Sequence, residues 1–223
     1  MKRIVAVALL FAAGGLLLPG RARTAPKPAE VPTSWQLDID YDPPKAILVS
    51  LPGKSKPQVF WYMRYTVTNN SNDEHVFVPN CVLYTNTGEI IPAGRNVPTT
   101  VFDAVKKLHN APLLKDVTSI TGSLLRGEDN AKDGVAIWPD FDPAAGEIDI
   151  FFGGLSGETA EVELPGGKTI EVTETDGFGN QRTVQKTKML VSKTLHLHFA
   201  VPGEAASRLN TVAKLLDKEW VMR

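Results

Sequence analysis

Cysteine is almost missing from this chain: Cys81 is the only one in 223 residues. No internal disulfide can form, so a folded domain must be held by burial alone. Cys81 stands between Pro79-Asn80 and Val82-Leu83, which reads as a small buried hydrophobe rather than a reactive thiol. A charge excess of one sign is lacking as well, with 24 basic and 25 acidic residues. There is no clustered basic face, which excludes the electrostatic footprint of a nucleic-acid binder. The one long apolar run, residues 4–18, is short for a membrane span of about 20 residues. Catalytic motifs are absent too. Gly167-Lys168-Thr169 looks like the end of a phosphate-binding loop, but Val162 occupies the upstream glycine position. Gly154-Leu155-Ser156-Gly157-Glu158 is no nucleophile elbow, because Glu158 stands where the second glycine belongs. No internal repeat is visible.

What is present begins with an export signal. Lys2 and Arg3 precede the apolar run, and Gly20-Arg21-Ala22 ends in a small residue suited to cleavage. Residues 1–22 are therefore expected to be a secretory signal peptide, which contacts the membrane only if it stays uncleaved. No cysteine follows the run, so a lipid anchor is not expected. Cleavage takes three of the 24 basic residues and none of the 25 acidic ones, leaving 21 against 25 and a net charge of −4. Residues 23–33, with Pro26, Pro28 and Pro32, read as an extended linker leading away from the membrane. The remaining residues, 34–223, suffice for one buried core and are few for two.

The chain after the linker is written in short alternating segments. In residues 59–70, VFWYMRYTVTNN, one face carries Val59, Trp61, Met63, Tyr65 and Val67. The other carries Phe60, Tyr62, Arg64, Thr66 and Thr68, and is expected to be half covered. Asn69 to Asp73 form a turn whose side chains satisfy its own backbone. Segments 75–79, 81–85 and 89–92 then suggest an antiparallel meander. Thr99 or Thr100 caps a short helix running to His109, with Val101, Phe102, Val105 and Leu108 on one side. Residues 127–134 read as a charged loop and 135–138 as a brief strand. Ile148, Ile150 and Phe152 point one way on the next strand, and Leu195, Leu197, Phe199 and Val201 do so on the cleanest alternation of the chain. Between them, residues 168–191 form a hairpin rich in Thr, Glu, Lys and Gln that is expected to project with both faces wet. Residues 205–223 admit either a helix over 207–216 or a strand over 219–222. About eleven short strands with one short helix near 99–109 make an all-β sandwich.

The segments YMRYTVTNNSNDEHVFVP (residues 62–79) and NTGE (86–89) resemble the first half of immunoglobulin-like domains in a family of uncharacterised exported bacterial proteins. The segments GVAIWPDFDP, FFGGLSGE, KTLHLHFAVPGE and KEWVMR (134–143, 151–158, 193–204 and 218–223) are similar to later parts of such proteins. The resemblance implies an immunoglobulin-like antiparallel β-sandwich. It brings no functional residues, and it departs from antibody domains because Cys81 has no partner cysteine.

Among candidate sites, His196 and His198 are the sharpest. A spacing of two on a strand puts both imidazoles on one face, where they could bind a transition metal if His75, His109 or a carboxylate supplied a third ligand. Asp129, Asp133, Gly134 and Asp140 match the first, fifth, sixth and twelfth positions of a calcium loop. Ala131 spoils the third, and a strand follows where a helix belongs. Asp140 with Asp142, or Glu147 with Asp149, are carboxylate pairs of glycosidase type with no cleft indicated between them. Trp35, Phe60, Tyr62, Trp138, Phe141 and Phe151 could stack on sugars or a protein partner, or fill the core. The resulting expectation is a periplasmic or extracellular, non-catalytic structural or protein-interaction module of the cell envelope. It has no catalytic residue, no cofactor and no nucleic-acid partner, and its working surface is an edge strand or the 168–191 hairpin. The alternative is a carbohydrate- or metal-binding module.

Overall fold

Alternation of large apolar residues with polar ones drives each segment to bury one face. The structure, a computed structural model, describes residues 26–164, 166, 168–175, 177, 179–201 and 205–223. The export signal at residues 1–22, Gly167 of the phosphate-loop look-alike, and Asp176 and Phe178 of the hairpin turn lie outside the described residues. The strands among the described residues are β1 (Asp38–Tyr41), β2 (Lys45–Val49), β3 (Gln58–Thr68), β4 (His75–Phe77), β5 (Asn80–Thr85), β6 (Ile90–Pro92), β7 (Lys115–Asp116) and β8 (Gly122–Leu124). They continue with β9 (Lys132–Pro139), β10 (Glu147–Gly153), β11 (Thr159–Glu163), β12 (Ile170–Thr175), β13 (Gln181–Lys186), β14 (Lys188–Ala200) and β15 (Lys214–Met222). The helix α1 (Thr99–Leu108) lies between β6 and β7.

Two larger sheets organise these strands. In the first, β3 is paired on one side by β2 and β1 in succession and on the other by β9, which carries β7. The β7–β9 pair is parallel, so this sheet is not wholly antiparallel. In the second, the order is β11-β14-β10-β5-β6, with β15 also paired to β14. Their facing sides bury one cluster. Trp61, Met63, Tyr65, Val67 and Trp138 come from the first sheet, and Leu83, Ile148, Ile150, Phe152, Leu195, Leu197 and Phe199 from the second. Each such side chain contributes about 1.5–3 kcal/mol of hydrophobic stabilisation, which is how the domain stands without a disulfide. Cys81 belongs to this cluster, and burial pushes its thiol well above the usual range, so it is an unreactive packing residue.

The outer face of the first sheet is half covered, as its sequence suggests, with Arg64, Thr66 and Thr68 half-buried. Phe60 and Tyr62 are buried with Val101 and Val105 of α1, and Val49, Leu114, Val135 and Ile137 complete this second cluster. The helix therefore forms a third layer. Phe102 is only partly buried and Leu108 is exposed. Its N-cap is Pro98, with no side-chain cap bond, rather than a threonine.

The meander reading fails in one respect. β3, β4 and β5 are not neighbours: β4 pairs with β8, while β5 pairs with β10 and with β6. The chain leaves the first sheet at Asn69 and enters the second at β5. Asn69 is buried and fixes this crossing, donating to the carbonyls of Asp73 and Leu124 while accepting from Ser71. Only β5–β6 is a hairpin of the expected type, and Gly88 in its turn takes φ 98°, which favours glycine.

Three further boundaries shift. The charged loop contains a short 3-10 turn, Glu128–Asn130, and Asp133 and Gly134 already belong to the eight-residue β9. The hairpin proper is β12–β13. Met189, Leu190 and Val191 belong to β14 and pair with β11. The last segment holds a 3-10 turn, Ala205–Asn210, and a nine-residue strand, β15, longer than the strand expected over 219–222 and taking in the end of the expected helix. The Pro-rich linker is fastened to the domain at Ala29, whose N–H donates to Glu158 Oε1 at 2.7 Å. Glu158 is paired in turn with Lys193 at 3.1 Å, and both side chains are nine-tenths or more buried. Among the described residues no helix is long and apolar enough to cross a membrane.

Candidate functional site

The outer face of the second sheet is built by the other half of the same alternation. Ile148, Ile150 and Phe152 point inwards, so Glu147, Asp149 and Phe151 point out. Leu195, Leu197 and Phe199 do the same for His196 and His198 on β14. Antiparallel register places Asp149 between Tyr84 and His198, with Asp217 beyond; it places Phe151 between Val82 and His196, with Glu219 beyond. Two cross-strand rows thus run across β5, β10, β14 and β15.

The two expected histidines do share a face, and the structure supplies the groups around them. His196 Nε2 and His198 Nδ1 lie 2.8 and 2.7 Å from the same oxygen, Asp149 Oδ1. His196 Nδ1 faces Glu219 Oε1 at 3.2 Å. His198 Nε2 is 3.8 Å from Glu147 Oε2. Each contact is a hydrogen bond only when the ring nitrogen on that side carries the proton. The imidazoles thus pin the Asp149 carboxylate between them rather than converging on a shared vacancy. His75 is engaged elsewhere, stacked on Trp35 at 4.5 Å and bonded to Ser71. His109 bonds the Tyr62 hydroxyl beside α1, where burial, then Arg64 and Lys45, lowers its pKa. Among the described residues no group of three or more His, Cys, Asp or Glu side chains is disposed to hold a metal ion.

Beside this cluster lies an aromatic step. The Phe151 ring stacks on His196 at 4.6 Å and 7°, and meets Tyr84 edge-on at 5.3 Å. The Arg223 guanidinium lies 4.0 Å from the Phe151 centroid and 4.3 Å from that of Tyr84, and donates to the Tyr84 hydroxyl. Sequence reasoning named the histidines and Phe151 but missed Asp149, Glu219 and Arg223 as their neighbours. Only the pairing of β10 and β15 with β14 brings them together.

The other candidates disperse. Phe60, Tyr62, Trp138 and Phe141 are buried, so the six aromatics do not form an exposed strip. Asp140 accepts from Trp61 Nε1 at 3.0 Å, and Asp133 accepts from Thr66 on a strand, which breaks up the calcium-loop pattern. Asp142 caps its own turn, accepting from the Ala144 N–H, while Asp140 is engaged by Trp61. An open cleft of about 220 Å³ lies beside Asp40, Asp42, Arg64 and Asp133. One of its carboxylates, Asp42, is already held by Arg64 Nε at 2.9 Å. Comparison with protein-family models, curated proteins and solved structures finds no match to this chain.

Proposed function

We propose that the chain is exported and acts as a non-catalytic immunoglobulin-like β-sandwich, a protein-interaction module of the periplasm or cell surface. Export rests on the charged start, apolar run and small-residue end of residues 1–22. The immunoglobulin-like reading is supported by two facing sheets around one core, together with the turn and strand motifs of residues 62–89.

The observation that carries the interaction role is an asymmetry of layers. The Phe60–Tyr62 end of the first sheet's outer face is packed under α1, whereas among the described residues no helix or strand is packed over the corresponding face of the second. That face still carries half-buried aromatic and imidazole rings beside four carboxylates. A sheet face of this kind is suited to a partner surface.

The test against the carbohydrate- or metal-binding alternative is thermal melting with EDTA, Ca²⁺, Zn²⁺ and a panel of oligosaccharides. A ligand present at about 100 times its Kd adds about 2.7 kcal/mol, a shift of several degrees. The interaction reading expects no shift. A clear shift with one of these ligands contradicts it.

A further inference from the structure

The open face of the second sheet has a chemistry of its own, and the chain shows what fits it. Three carboxylates, Asp149, Asp217 and Glu219, stand in the two cross-strand rows, and a fourth, Glu147, lies beside His198. Next to them the Phe151 and Tyr84 rings already hold one guanidinium, that of Arg223. A guanidinium is planar and weakly hydrated, so it stacks on rings while its N–H groups reach acceptors at the edge, here the Tyr84 hydroxyl. An ammonium gains the charge attraction but much less from stacking. Arg223 can leave without undoing the sheet, because its backbone N–H and C=O stay bonded to Ser192 at 3.0 and 2.7 Å. Asp149 Oδ1 lies 2.8 and 2.7 Å from the two imidazoles, and Glu219 Oε1 3.2 Å from His196, so these carboxylates sit beside partners that restrict where they point.

Resting on the interaction reading above, we infer that this face docks an arginine-bearing polypeptide segment. One of its guanidinium groups replaces Arg223 on the Phe151–Tyr84 step, and the others pair with the carboxylates of β10 and β15.

The test is fluorescence anisotropy of the full-length protein with fluorescein-labelled nona-arginine and nona-lysine at physiological salt. Nona-arginine should bind more tightly than nona-lysine by about threefold or more, the range of an exposed stacking contact. Phe151→Leu should abolish that preference; Tyr84→Leu is the second variant should the first fail to fold. Arg223→Ala should widen the preference by vacating the rings. The triple variant Glu147→Gln, Asp217→Asn, Glu219→Gln should weaken both peptides by about tenfold or more. The control Glu128→Gln, Asp129→Asn, on the 3-10 turn, should leave them unchanged. No binding, no preference for arginine, or equal loss in the control overturns the inference. If a partner polypeptide is still found on this face in cells, such a failure leaves the interaction reading standing and removes only the arginine chemistry.

Discussion

At the scale of single residues, Gly134 decides how the two sheets meet. It pairs with Tyr65 across β3 and β9, and a Cβ there would sit 2.3 Å from Tyr65 Cζ. The ring lies over the bare backbone and is fixed by Phe152, which it meets edge-on at 4.8 Å. Gly134→Ala should therefore destabilise the domain by about 1–3 kcal/mol, as overpacking of a filled core does. Gly146→Ala, with nothing within 4 Å of the new atom, should change stability by less than about 0.5 kcal/mol. Denaturant midpoints check both, and equal effects would contradict the packing account. Tyr65 also buries a hydroxyl without a hydrogen-bond partner, so Tyr65→Phe should not reduce stability. Glu158 is the residue through which pH acts. The Ala29 N–H foremost, and Lys193 with it, hold its carboxyl below the usual glutamate range against the opposing pull of burial. A carboxyl whose folded pKa is lowered contributes stability above its unfolded pKa and loses it as pH falls through the folded one. The stability difference between the wild type and Glu158→Gln should thus be full at neutral pH and shrink on acidification below about pH 4.5. A difference that is flat with pH would show that the pair does not hold the linker.

At the scale of elements, the β12–β13 hairpin and β14 behave oppositely. Leu195, Leu197 and Phe199 tie β14 into the core, whereas the hairpin pairs only with itself among the sheets described. Its ion pairs, Glu174 with Arg182 and Lys186, are surface pairs of small net worth. Joining Leu164 to Thr187 through an Asn-Gly turn should leave the melting transition nearly unchanged, within about 0.5 kcal/mol. A large loss would show that the hairpin packs on the body. The same elements show what a sequence can disclose. The inward faces of β10 and β14 were readable because period two needs no knowledge of the partner strand. The Asn69 turn was readable because its bonds are mostly local. The site of β4 was not, since a turn followed by a strand looks alike whether the chain returns to its sheet or crosses to another. The burial of Phe60 and Tyr62 was hidden for a related reason: it depends on α1 folding back over the sheet. His196 and His198 could be placed on one face from their spacing, but Asp149 is 47 residues from His196 in sequence and joins it only through antiparallel register.

At the scale of the whole molecule, the arrangement is a helix, a sheet, a core and a second sheet whose far side is bare among the described residues. Packing α1 on one outer face and leaving the other open gives the domain a direction. The open side carries a pattern of rings and carboxylates, the side under α1 the half-buried Lys106 and the exposed Lys107. The central claim is that the open side is where a partner polypeptide sits. It is tested most directly by placing a photoreactive phenylalanine analogue at Val82 on the open face, and separately at Lys107 on the helix, in the cells that make the protein. Irradiation should give a discrete adduct with a second polypeptide from position 82 and none from position 107. Adducts from position 107 alone, or no adduct from position 82, would contradict the account.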